Sequence, residues 1–285
     1  MTELRELVAE ELSLPVDPRV SAVARAIAKE HGKASRAVLF YGSCLREKKL
    51  EGLMLDFYLI VSNYRAAYPK RWLAIANRLV PPNVFYFQKD GLAAKYAVLS
   101  EADFHRLNGP RTNSVSVWAR FAQPSRLVWS ANAAAKKRAI DAVARAAPTL
   151  LSAAGRRAGE KPLDWWRRAF VLTYSAELRA ERKGRSVSIV DADRPRYTRF
   201  AGAAAAAIES EPKASWRRRR LVGKTLSILR LAKASATFAG GADYIAWKIN
   251  RHAGTQIRLK PWQQRHPLLA GVSLLPRLIR SGAVR

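Results

Sequence analysis

The sequence predicts an α+β fold: a small mixed β-sheet with helices, then a mostly helical part, then a set of basic C-terminal helices. Three observations predict it. Short β-favouring runs bounded by Gly, Pro, Asp and Ser turn signals crowd the first part of the chain. An alanine-rich stretch with helical spacing begins near Ala131. From Lys213 to Arg285 there are 16 lysines and arginines against one acidic residue, Asp243. These shifts in composition divide the chain into 1–130, 131–212 and 213–285.

The elements follow in order. A helix is expected over 2–14, opened by Thr2 and Glu3 and broken by Pro15 and Pro18. A second covers 20–31, with Val20, Val23, Ala24 and Ile27 on one face. A strand over 37–41 runs into the turn Gly42-Ser43, a short basic helix, and a second strand over 55–61. Residues 68–80 have helical spacing, with Trp72, Ile75 and Leu79 on one face, and Pro81-Pro82 ends them. A hairpin follows, 84–88 and 93–99 around Lys89-Asp90-Gly91. Ser100 caps a helix to Leu107, 114–122 is read as helical, and 125–129 as a further strand. Helices are then expected over 131–155 with a kink at Pro148, 165–182 capped by Asp164, 195–208, and 215–238 opened by Ser215. Two more fall at 243–252 and 267–279.

Composition bounds the function. With 49% hydrophobic residues this is a folding chain. Lys+Arg 51 against Asp+Glu 22 leaves a net charge of +29, which calls for an anionic partner: nucleic acid, an anionic membrane surface or a phosphorylated substrate. A single cysteine, Cys44, excludes an intrachain disulfide and a multi-cysteine zinc site, and fits a reducing cytoplasm. Its place beside Gly42-Ser43 reads as a small residue on a tight turn, since no histidine is near it in sequence. The N-terminus has charges of both signs and no signal-peptide pattern. No apolar run approaches the roughly 18 residues that span a bilayer, so contact with lipid is expected from the surface.

The stretch around Gly42 carries the chemistry. Glycine allows a backbone to approach a phosphate closely, and a following helix start offers free N–H groups. Ser43 adds a hydroxyl, and thirteen residues later Asp56 opens the next strand. A carboxylate there suits Mg²⁺, which takes one or two carboxylates together with phosphate oxygens. This is the layout of nucleotidyltransferases.

Several stretches together resemble the mitochondrial-type CDP-diacylglycerol synthases (phosphatidate cytidylyltransferases) of the nucleotidyltransferase fold. Tyr41, Gly42 and Ser43 match the family's YGS, and Met54, Leu55, Asp56 and Phe57 its Asp-Phe strand. Residues 95–100 (KYAVLS) are similar to its KYGV-type strand and 119–124 (ARFAQP) to its GRLxKP segment. Residues 172–179 (LTYSAELR) resemble its LSYxGDxRM, with Glu177 for Asp, and Ser188, Ile189 and Val190 follow where it has a similar IV. The chain departs from many nucleotidyltransferases in having Tyr58 where a second Asp would stand, and Trp72 and Asn77 only loosely echo the family's Trp-His-x-x-Asn. The last 70 or so residues do not obviously match.

The resemblance implies a Mg²⁺-dependent enzyme that transfers CMP from CTP to phosphatidic acid, releasing pyrophosphate. It also implies a helical, winged-helix-like domain after the sheet, and attachment to the inner face of the cell membrane from the cytoplasm. Tyr41, Gly42 and Ser43 would bind the nucleotide. Asp56, with Glu177, would hold the metal, Lys95 would counter triphosphate charge, and Arg120 would clamp a phosphate. Glu177 and Arg179 lie two apart on a helix, so only one of them is expected to reach the site. Arg179, Lys233, Lys248 and Arg251 are expected to meet lipid or phosphate. The basic residues 217–220, Lys224, Arg230 and Arg258 are read as tracking an anionic surface, and Trp216, Trp247 and Trp262 suit either its interface or core packing. The rival class is a nucleic-acid-directed nucleotidyltransferase or an RNA binder. The net charge suits it, but the sequence carries neither an RNP nor a KH signature, so nucleic acid is not the expected partner.

Overall fold

The structure, a computed structural model, describes residues 2–47, 50, 53–177, 189–208, 215–237 and 260. At its centre is a five-stranded mixed sheet of order β3-β4-β2-β1-β5. The strands are β1 (Ser35–Tyr41), β2 (Met54–Val61), β3 (Asn83–Lys89), β4 (Leu92–Ser100) and β5 (Ser125–Ser130). Only β2 and β4 pair in parallel; the other three pairings are antiparallel. The hairpin turn is two residues, Asp90 and Gly91, both at positive φ, which suits the twist of the flanking strands.

Alternating side chains give the sheet two apolar faces. Val38, Phe40, Leu55, Phe57, Leu59 and Val61 face one core, covered by α2 (Pro18–Glu30), α4 (Tyr64–Ala67) and α5 (Arg71–Leu79). Ala37, Leu39, Tyr58, Ile60, Ala97 and Leu99 face a larger one. Over it lie α1 (Thr2–Ser13), α6 (Glu101–Leu107), α7 (Trp118–Phe121), α8 (Ala133–Ala144), α9 (Ala146–Ala154), α10 (Pro162–Ala176) and α11 (Arg194–Ala206). This cluster runs unbroken from Leu4 to Ala207, so the helices after β5 share a core with the sheet. The remaining helices are α3 (Ser43–Glu47), in the turn after β1, and α12 (Trp216–Thr237).

Helix starts follow the capping residues. Asp17 accepts from the Arg19 amide at 2.8 Å, so Pro18 begins α2 at its first turn instead of only breaking α1. Ser100 caps α6, Asn132 caps α8 and Asp193 caps α11. The alanine-rich stretch breaks at Arg145; Pro148 sits in the first turn of α9, where its missing N–H costs nothing. Helix α10 starts at Pro162, two residues before Asp164, and Glu177 ends it. Residues 68–80 form a helix only from Arg71, and 114–122 only over the four residues of α7.

Two apolar features of the sequence find surroundings that helical spacing alone does not specify. The stripe on α5 points outward: Trp72, Ile75 and Leu79 are 47%, 58% and 73% exposed. The buried residues of that helix are Ala74 and Asn77, and Asn77 donates to Tyr68 Oη and to the Val98 carbonyl at 3.0 Å each. Of the two readings of Trp216, the structure takes packing: its Nε1 donates to the Ala153 carbonyl at 2.8 Å and it lies against the core. The helices expected at 243–252 and 267–279, with Arg179, Lys248, Arg251, Arg258, Trp247 and Trp262, lie outside the described residues.

Candidate phosphate site at the end of the sheet

Strand register builds the site. Tyr41 pairs with Asp56 across β1 and β2, and Asp56 with Lys95 across β2 and β4. Paired residues on neighbouring strands point to the same face, so these three form one row at the end of the sheet, under the helical layer. The Lys95 ammonium lies 2.9 Å from Asp56 Oδ1, and the two side chains are 27% and 16% exposed. The row can be reached from solvent, yet it is shielded enough for charge to matter.

Gly42 is required beside that row. Its φ is +97°, and a Cβ there would fall 2.7 Å from Asp56 Oδ2. A side chain would therefore both strain the backbone and push the carboxylate away. Ser43 starts α3 directly after it. Cys44 is buried, with Sγ 3.4 Å from the Met54 carbonyl, so it packs the turn and is not set up as a nucleophile.

Behind the row stand aromatics. Tyr58 is buried, with its ring 5.2 Å from Phe121 and 5.4 Å from Tyr41. It sits where a second metal-binding Asp would stand, and it packs. Burial, and then the charge of Asp56, push the Tyr41 phenol well above its ordinary range, so it stays protonated. Arg120, at the end of α7, reaches into the same neighbourhood. It donates to the Ser116 carbonyl at 3.0 Å. Burial works against its charge, while Tyr58, Tyr41, Glu177 and Asp56 favour it.

Glu177 ends α10 on the far side of this group. Its Oε1 is 3.8 Å from Arg230 Nη1, and its side chain is 7% exposed. Glu177 thus meets this group, while Arg179 lies outside the described residues.

Arg230, on α12, was read from sequence as a surface charge. It turns inward, donating from Nε to the Pro81 carbonyl at 2.8 Å and from Nη1 to Ser116 Oγ at 2.9 Å. Lys233, one turn on, donates to the carbonyls of Val80 and Pro82, the latter at 2.8 Å. Burial, and then the neighbouring Arg230 charge, bring the Lys233 ammonium down to about 7. Arg219 is fully buried and donates to the Thr112 carbonyl at 2.7 Å. Arg217, Arg218, Arg220 and Lys224 stay exposed, as the surface reading expects.

The donor set decides what such a site can hold. Among the described residues no group of three or more His, Cys, Asp or Glu side chains could hold a metal ion. The two expected Mg²⁺ ligands each face cations, Asp56 against Lys95 and Glu177 against Arg230. Among the described residues of this cluster, Lys95, Arg120 and Arg230 stand with two carboxylates, Asp56 and Glu177. The cluster does not fit a resident Mg²⁺; it fits an anion. A Mg²⁺ carried on a nucleotide triphosphate would arrive as part of the substrate.

No family model matches the sequence, and none of the curated proteins searched does. Among solved structures the fold is similar to a nucleotidyltransferase-like protein from Exiguobacterium sibiricum, with 10% identity over 92% of each chain and a TM-score of 0.29.

Proposed function

We propose that this protein is a nucleotidyltransferase that joins a nucleoside monophosphate to a phosphate-bearing acceptor. The observation that carries the proposal is the row Tyr41, Asp56, Lys95, closed by a glycine whose missing Cβ lets the Gly42-Ser43 turn lie against the Asp56 carboxylate. The finer reading is transfer of CMP from CTP to phosphatidic acid, and its support is the resemblance carried by YGS, KYAVLS, ARFAQP and LTYSAELR.

The chemistry asks little of a nucleophile. An oxygen of the acceptor phosphate, already an anion, forms a bond to the α-phosphorus of the nucleotide. The bond from that phosphorus to the oxygen bridging to the β-phosphorus breaks, and pyrophosphate leaves with the electron pair. Two anions must be held together and the charge on the leaving group neutralised. Lys95 and Arg120 supply fixed positive charge, and Asp56 holds the Lys95 ammonium at the mouth of the turn. Tyr41, protonated, adds a neutral wall.

An anionic membrane surface is the proposed place of work. No helix among the described residues is long and apolar enough to cross a membrane. The exposed Trp72, Ile75 and Leu79 of α5 are flanked by exposed Lys70, Arg71 and Arg78, an apolar stripe with a basic rim that complements acidic lipid. Each such cation near an acidic leaflet contributes about 1 kcal/mol.

The test is to incubate the protein with each labelled nucleoside triphosphate, Mg²⁺ and vesicles containing phosphatidate. A lipid-linked product is expected with CTP, and Asp56→Asn should slow its formation by about 100-fold. No product with any nucleotide, or an Asp56→Asn protein that keeps near wild-type rate, overturns the proposal.

A further inference from the structure

The basic helix α12 delivers a second cation to the site. Arg230 lies far in sequence from the Gly42 turn, and nothing in its local pattern marks it. Its guanidinium is fixed on three sides: Pro81 carbonyl to Nε at 2.8 Å, Ser116 Oγ to Nη1 at 2.9 Å, and Ser114 Oγ to Nη2 at 3.4 Å. The two hydroxyls are themselves 3.0 Å apart, so they form a small polar shelf under the guanidinium. Arg120 meets the same loop through the Ser116 carbonyl.

Charge is short on the acidic side. The nearest carboxylate to Arg230 is Glu177, at 3.8 Å, and that same Glu177 also acts on Arg120. Among the described residues Arg120 has no ion-pair partner. Lys233 adds cationic character behind Arg230. Burial pulls down the charged form of Arg230, yet a guanidinium does not give up its proton at neutral pH. Among the described residues three cations, Lys95, Arg120 and Arg230, share two carboxylates, Asp56 and Glu177, and an anionic ligand can answer the difference. Arg230 keeps 18% of its side chain exposed, so a ligand can reach it.

We propose that Arg230, with the hydroxyls of Ser114 and Ser116 and with Arg120 shared with the nucleotide phosphates, forms a second anion subsite that takes the phosphate of a phosphomonoester acceptor. Guanidinium is suited to this role, since it presents paired N–H donors to phosphate oxygens. The assignment of that phosphate as the acceptor rests on the reading that the Gly42-Ser43 turn takes the nucleotide. The subsite itself does not.

Helix α12 can reach the sheet because Gly223 lets it lie against the end of α10. A Cβ at Gly223 would stand 2.1 Å from the Ala176 carbonyl oxygen, next to Glu177. The subsite is thus assembled where the helical layer closes over the sheet.

The experiment is equilibrium binding on the full chain with four probes: inorganic phosphate, glycerol 3-phosphate, Mg²⁺ with CTP, and phosphatidylcholine vesicles with and without phosphatidate. Arg230→Met is expected to weaken glycerol 3-phosphate at least tenfold and to leave CTP within twofold. Ser114→Ala combined with Ser116→Ala keeps every charge and removes the shelf; it should weaken the same probe several-fold, and it serves as the test if Arg230→Met fails to fold. Unchanged glycerol 3-phosphate affinity in both variants overturns the subsite, as does an equal loss of CTP and glycerol 3-phosphate. If the wild-type protein binds glycerol 3-phosphate through Arg230 but does not bind CTP, the subsite stands and the nucleotide reading falls. Phosphatidate vesicles bound in preference to glycerol 3-phosphate identify the acceptor as a lipid; the reverse identifies a free phosphomonoester.

Discussion

Two clusters of charge lie under the same helical layer, and they are built differently. In the first, Glu11 of α1 meets Arg196 of α11, with Glu11 Oε1 3.1 Å from Nη2 and side chains 10% and 8% exposed. Arg196 also donates to the Ala122 carbonyl at 3.0 Å and lies 4.5 Å from the Phe200 ring. Glu11 and Asp193 face Arg196 and Arg126, two charges of each sign, and each nitrogen of Arg196 donates to a protein acceptor. In the second, Lys95, Arg120 and Arg230 share Asp56 and Glu177, and the side chains stay partly open. The balanced cluster fastens α11 to α1. The unbalanced one is the proposed anion site.

Breaking the balanced pair should have the largest effect on stability. Glu11→Gln leaves Arg196 buried without its charge partner, and a loss of about 3–5 kcal/mol is expected by denaturant unfolding. Phosphate affinity of the folded fraction should not change. If that affinity falls as well, the two clusters are not separate.

Next in size come the glycines that position the unbalanced cluster. Gly223→Ala drives a methyl into the Ala176 carbonyl, an overpacking expected to cost about 1–3 kcal/mol and to displace Arg230. Gly42→Ala forces a side chain into positive φ beside Asp56, for a similar cost of about 1–3 kcal/mol. Both should lower anion affinity along with stability. Preserved affinity in either variant would show that the turn or α12 does not shape the site.

Arg120→Met should behave in the opposite way to Glu11→Gln. Arg120 has no close ion pair among the described residues, so replacing it with an apolar chain of similar length should cost less stability than Glu11→Gln does. Anion binding should be lost. A large destabilisation would mean that Arg120 is structural.

A further effect is with pH. The Lys233 ammonium sits near 7 in the folded state and at 10.5 when unfolded, so between these values the unfolded chain binds more protons. Stability should therefore rise as pH is raised from about 7 towards 10. Thermal unfolding across that range should show the rise in the wild type and a flatter profile in Lys233→Met. A wild-type profile that falls would contradict the buried placement.

The sheet and its turn were legible in sequence because their determinants are local. Near-continuous apolar runs define β1 and β2, Gly42 defines the turn after β1, and Asp56 follows at a fixed offset. Lys95 could be placed through the KYAVLS strand. Arg230 could not. Its partners Ser114 and Ser116 are more than a hundred residues away in a loop without periodicity, and a basic helix reads as solvated by default. Tyr58 was read as the gap left by a missing metal ligand, whereas its ring fills the core against Phe121. The stripe on α5 misled because helical spacing reports an apolar face, and cannot say whether protein or solvent covers it.

The most direct measurement is the thermal unfolding midpoint of the wild type, Arg120→Met and Arg196→Met, each with and without Mg²⁺ and CTP. A ligand that binds only the folded state at 100 times its Kd adds about 2.7 kcal/mol of stability. The account predicts that CTP raises the midpoint of the wild type, raises that of Arg196→Met from a lower starting value, and leaves that of Arg120→Met unmoved. No shift in the wild type, or an equal shift in Arg120→Met, would contradict it.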